Sequence, residues 1–135
     1  MTVELVVPYD LEAILVDYLT ARYDALSIDA TVSTVVPKER PAKFTKVELL
    51  GGGRPNIATD RVNVAVQCWD DDTVSASSLC RMTFALLWAL PADDEFGVMV
   101  RKVVTIGGVS FFPDPDTNLP RYQASVAIDI RPEGL

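Results

Sequence analysis

The chain contains no histidine. That absence removes Ser-His-Asp and Cys-His nucleophilic catalysis, imidazole-based zinc sites and the commonest general base near neutral pH. Cysteine is scarce as well: Cys68 and Cys80 sit in apolar surroundings and form no CxxC pair. A thioredoxin-like motif and a Cys-rich metal centre are thereby excluded, and both residues are expected to be buried, reduced thiols of a cytoplasmic protein. Long apolar runs are also missing. The longest, Phe84 to Leu90, falls far short of the ~20 residues that span a bilayer, so no membrane partner is expected. The opening Met-Thr-Val-Glu-Leu-Val-Val-Pro lacks the basic region and apolar length of a secretory signal. Positive charge is in deficit, with 12 Lys+Arg against 19 Asp+Glu and a net charge of -7, which removes the electrostatic footprint of a nucleic-acid reader.

What is present is enough for a core. Over 135 residues, 49% are hydrophobic and 23% charged, the balance of one globular domain spanning residues 1–135. After Pro8 and Asp10, apolar residues Leu11, Ile14, Leu15, Tyr18 and Leu19 recur with helical spacing, predicting a helix that ends near Arg22 to Ala25. Thr31 to Val36 reads as a short strand before the charged turn between Pro37 and Pro41. Phe44 to Leu50 predicts a strand broken by Gly51-Gly52-Gly53-Arg54-Pro55-Asn56. In Arg61 to Trp69 the alternation is clean, with Val62, Val64, Val66 and Cys68 on the core side.

Asp70, Asp71, Asp72 and Thr73 predict the start of a second helix, where carboxylates cap free N–H groups and complement the helix dipole. The helix is expected to reach Leu90 and stop at Pro91. Its core stripe is Ala76, Leu79, Cys80, Thr83, Leu86, Leu87 and Leu90, while Met82, Phe84 and Trp88 lie off it. Either a second layer of the same domain or another subunit covers that extra apolar face. A strand from Val98 to Ile106, a Gly107-Gly108 turn and an answering Val109 to Phe112 read as a hairpin. Tyr122 to Arg131 is the most regular strand. The order is not an alternating βα pattern. It predicts an α+β fold: a largely antiparallel or mixed β-sheet with two α-helices packed on one face. The strands' second faces are small or polar, and the sheet is expected to be partly uncovered, with open edges.

Motifs that carry chemistry do not complete. Gly51-Gly52-Gly53 is followed by Arg54-Pro55-Asn56 rather than the Lys and Ser/Thr of a phosphate loop, and reads as a mobile hairpin tip and candidate interaction arm. Asp114, Asp116 and Asn118 match the first oxygen ligands of a calcium loop, but Leu119 and Ser125 stand where it needs Gly and Glu. The segment instead reads as an Asx-type turn stiffened by Pro113, Pro115 and Pro120. Phe111, Phe112, Trp69 and Trp88 lack the interleaved basic residues of a base-stacking surface. No catalytic, cofactor or metal site is expected.

Four segments together resemble a known family: the early helix Asp10 to Leu19, the stretch Asn56 to Trp69, the helix end Leu86-Leu-Trp-Ala-Leu-Pro91, and Pro113-Asp-Pro-Asp-Thr-Asn-Leu-Pro-Arg-Tyr-Gln123. In order and spacing they look like tail terminator proteins of long-tailed (siphovirus) bacteriophages of actinobacteria. The resemblance implies a structural virion protein at the tail–neck junction, assembled in the host cytoplasm. It would form a hexameric ring on the tail tube, stop tube polymerisation and dock to the head-side connector, with DNA passing through the lumen unbound. A head–tail stopper and a small-molecule-binding α+β domain are the competing readings. A closed heterologous ring needs two unlike surfaces on each subunit. Under this reading Phe84 and Trp88 contribute to one of them. Arg54, Asp60, Arg61 and Arg121 become interface charges, with Asp114 and Asp116 as partners across a boundary. Alternatively, Asp60 and Arg61 only begin a strand, and Arg121 pairs inside one subunit.

Overall fold

A computed structural model of the chain describes residues 3–39 and 41–134. The elements are β1 (Val6–Val7), α1 (Leu11–Ala25), β2 (Thr31–Ser33), β3 (Phe44–Asn56), β4 (Thr59–Trp69), α2 (Thr73–Trp88), a 3-10 turn (Leu90–Ala92), β5 (Val100–Phe111), β6 (Arg121–Ile130) and β7 (Glu133–Gly134). The fold is α+β. Five strands make one sheet in the order β2-β3-β4-β6-β5, and β1 pairs with β7 in a separate ribbon. Within the main sheet only β2–β3 is parallel.

Sequence sets the helix ends. Asp10 accepts the Ala13 amide at 3.3 Å and Asp72 the Ser75 amide at 2.7 Å, which satisfies donors that the first turn leaves free. Past α1, Ser27 takes φ 56 while Ile28 donates back to the Tyr23 carbonyl at 2.8 Å, a left-handed residue closing a helix. The buried stripes of both helices, including Leu15, Leu19, Leu79 and Leu87, meet Val47, Val64, Val66, Val126 and Ile128 in one cluster. Even-numbered β4 and β6 residues face this core, as the alternation in Arg61 to Trp69 predicts. Tyr23 ties the layers together from within. Its hydroxyl meets Thr45 of β3 at 2.9 Å and also Thr83 of α2, which donates to the Leu79 carbonyl at 2.8 Å.

Several boundaries differ from expectation. The glycine run does not break β3, which continues through Gly51–Asn56 paired to β4, with register shifts after Leu49 and after Gly53. The turn lies at Ile57–Ala58, where Asn56 Oδ1 accepts the Ala58 amide at 2.9 Å. A Cβ on Gly52 would stand 1.9 Å from the Arg61 carbonyl oxygen, so glycine here permits close strand approach at a bulge rather than a turn. Gly107-Gly108 likewise makes no hairpin: neither has positive φ, and both lie inside the continuous, bulged β5. β2 stops at Ser33. α2 ends at Trp88, and Leu90 and Pro91 form the 3-10 turn instead of its last residues.

Candidate interface surfaces

Opposite the helices, the sheet presents a second face made of the odd-numbered residues of β4 and β6 and their neighbours. At one end it is covered. Trp69 and Phe44, paired in register, stack with ring centroids 4.5 Å apart, and each is nearly solvent-free. This is a small aromatic core outside the main cluster. The loop 112–120 folds over it: Trp69 Nε1 donates to Asp114 at 3.3 Å, and the Arg121 guanidinium lies 5.5 Å over the Trp69 ring. Arg121 Nε also donates to the Phe112 carbonyl at 2.8 Å. Asp114 Oδ1 accepts the Asp116 amide at 3.0 Å, closing the expected Asx turn, with Asn118 at φ 57. Asp116 itself is exposed. The second face is therefore covered at Trp69, where the loop returns across the sheet.

Toward the other end the face is partly open: Ala65 is buried, Ser125 and Ala127 are half-buried, and Gln67 donates to Gln123 at 3.3 Å across β4 and β6. Arg61 holds the buried Asp129 carboxylate through two bonds of 2.8 and 3.1 Å, with the Lys102 ammonium at 3.8 Å. Those bonds to Arg61 hold the Asp129 carboxyl below its ordinary range against the opposing effect of burial.

The β3–β4 hairpin is fastened near its turn. Arg54 holds the buried Asp60, with Nη2 at 3.0 Å from Oδ2, and Nη1 donates to the Val6 carbonyl at 2.9 Å. At its tip Arg101 of β5 donates to the Ala58 carbonyl at 3.0 Å, so the tip is tied to the sheet rather than projecting alone. Ile57 there is exposed. Arg54–Asp60 and Arg61–Asp129 are thus pairs within one chain, a partner for Arg61 that chain spacing gave no way to see.

On the helix side, Phe84 is half-buried against the core, and its ring lies 6.5 Å from that of Trp88. Trp88 is 44% exposed, and its Nε1 donates to Thr105 of β5 at 3.1 Å. Met82 is exposed as well, so among the described residues no other layer covers this apolar ridge. Next to it runs the sheet edge β5, whose exposed Val104 lies on the opposite face, across from Ala127. Both cysteines are buried and free. Among the described residues no cluster could hold a metal ion, and no helix is long and apolar enough to cross a membrane.

Comparison with known proteins finds no family model and no curated protein that matches the chain.

Proposed function

We propose that the chain is a structural subunit that closes into a ring, in the role of a phage tail terminator. It would cap the tail tube, stop its growth and join the head-side connector, with DNA passing unbound through the lumen. One observation carries this reading. The molecule has two unlike surfaces on opposite sides of one sheet: a sheet face of small and polar residues edged by exposed Val104, and a helix face whose Met82 and Trp88 remain exposed beside the β5 edge. Large apolar groups left together on a surface mark a place of association. Two different surfaces per subunit generate a closed ring when the rotation between copies closes. A hexamer and the location in the virion come from the family resemblance.

Light scattering over a range of concentrations, followed by electron microscopy of tails assembled without this chain, tests the proposal. Ring-sized particles and tubes of uncontrolled length are the expected results. Tubes of normal length that fail to join heads would make the chain a stopper and sink the terminator role.

A further inference from the structure

The helix layer contains a groove of about 520 Å³ between the end of α1 and the end of α2 with the 3-10 turn that follows it. Its floor is apolar. Ala25, Leu26, Leu86 and Ala89 line it beside the buried Tyr18 ring, whose hydroxyl donates to the Leu86 carbonyl at 3.2 Å. Leu26 remains 49% exposed there. A second depression of about 310 Å³ adjoins the groove and shares Tyr18, Arg22 and Glu95 with it. The charged residues lining the two are four carboxylates, Asp17, Asp93, Asp94 and Glu95, against one cation, Arg22. That cation is committed: Arg22 holds Asp93, lies 3.8 Å from Glu95 and stands 5.7 Å over the Tyr18 ring. The bridge ties α1 to the segment after the 3-10 turn and so fixes the two walls of the groove to each other. Asp17 and Asp94 are exposed, and neither enters an ion pair among the described residues.

We propose that this groove docks a basic segment of another protein: an extended chain that lays an apolar side chain on the Ala25, Leu26, Leu86 and Ala89 floor and directs flanking Lys or Arg side chains at Asp17, Asp94 and Glu95. The site goes beyond the ring reading and holds whether or not copies associate. Charge complementarity selects the occupant, because an acidic rim repels nucleic acid and acidic chains and attracts cations. The apolar floor adds a requirement that a small polycation such as spermidine does not meet, since its methylenes carry no side chain to fill the space. A second copy is the poorer source of the segment. Lys43, Lys46, Arg54, Arg61 and Lys102 pair with carboxylates of their own chain. Lys38, Arg81, Arg101 and Arg131 stand on separate elements, so among the described residues no segment offers two uncommitted cations around an apolar side chain.

Fluorescence anisotropy on the full chain at low salt tests the site, with a short labelled peptide of alternating lysine and leucine as the probe. Peptides of lysine with serine and of glutamate with leucine serve as controls, and circular dichroism checks the fold of every variant. Wild type should bind the lysine–leucine peptide and neither control. Asp17→Asn/Asp94→Asn/Glu95→Gln should weaken binding about tenfold, the sum of several exposed charge contacts. Ala25→Lys, which sets a cation over the floor from an exposed helix position, should weaken it to a similar degree. Asp71→Asn, outside the groove, should leave binding unchanged. A wild-type chain that ignores the lysine–leucine peptide would overturn the proposal. Unaltered binding by the triple variant would do the same, and so would an equal loss in Asp71→Asn, which would reduce the effect to overall charge. Equal affinity for the lysine–serine peptide, or displacement of the probe by equimolar spermidine, would make the groove a general cation surface and also overturn it. By sedimentation velocity, self-association should be the same in wild type and the triple variant; its loss in the variant would make a second copy the occupant and overturn the assignment to another protein.

Discussion

Replacing Gly52 by Ala should damage the protein out of proportion to one methyl group, while the same change at Gly53 should not. Gly52 has φ +144, and a Cβ there would lie 1.9 Å from the Arg61 carbonyl oxygen and 2.9 Å from its carbon. The obstacle is backbone, so no rotamer change relieves it. β3 must move away from β4 at the bulge, which separates Gly52 from Val62 and Gly53 from Arg61 in the ladder. Backbone strain of about 1–3 kcal/mol combines with weakened ladder bonds worth about 1 kcal/mol each, for a loss of about 2–4 kcal/mol. At Gly53 a Cβ meets nothing within 4 Å and φ is not in the left-handed region. Ala there reduces the freedom of the unfolded chain and should be neutral or stabilising by up to about 1 kcal/mol. Urea unfolding followed by the fluorescence of Trp69, 2% exposed in the fold, reads both. With an m-value of about 2 kcal/mol/M, the Gly52→Ala midpoint should fall by about 1–2 M. Equal midpoints for Gly52→Ala and Gly53→Ala would refute the bulge as the reason for glycine.

Further expectations concern the core and its titration. Tyr23→Phe and Thr83→Val should each cost about 1–3 kcal/mol by leaving a buried hydroxyl short of a partner, and the double variant should cost less than the sum. Strict additivity by urea unfolding would dissolve the Tyr23–Thr83 link. Across pH, melting temperature should be flat from pH 6 to 8, because no histidine titrates there. Asp72 is held below its ordinary range chiefly by the Ser75 amide and Asp129 chiefly by Arg61. Their contribution is present above the unfolded carboxylate value of about 3.9 and is lost as pH falls through the lowered folded values. Burial pushes the Tyr23 phenol up. The unfolded chain therefore releases this proton first, and stability falls above about pH 10. A midpoint that moves by more than about 2 °C between pH 6 and 8 would contradict this assignment.

What could be read from the chain alone was what depends on near neighbours. The apolar spacing in Leu11 to Leu19 and Ala76 to Leu87, the caps at Asp10 and Asp72, and the alternation in β4 each depend on groups a few residues apart, and each found its place. The glycines did not, because the same residue serves a turn, where it supplies positive φ, and a bulge, where it makes room for another strand. Only the partner decides between these. Gly52 faces Val62 with Arg61's carbonyl against it, and Gly107 faces Ser125, contacts that pattern within one strand cannot anticipate.

The two faces of the sheet carry the same lesson into function. Trp69 stands opposite the core in the alternation, where a large aromatic has no evident cover, yet Phe44 and Asp114 close over it from positions 25 and 45 residues away in the chain. Asp129 has no nearby cation in sequence except Arg131, and it is the register of β4 and β5 that delivers Arg61 and Lys102 to it.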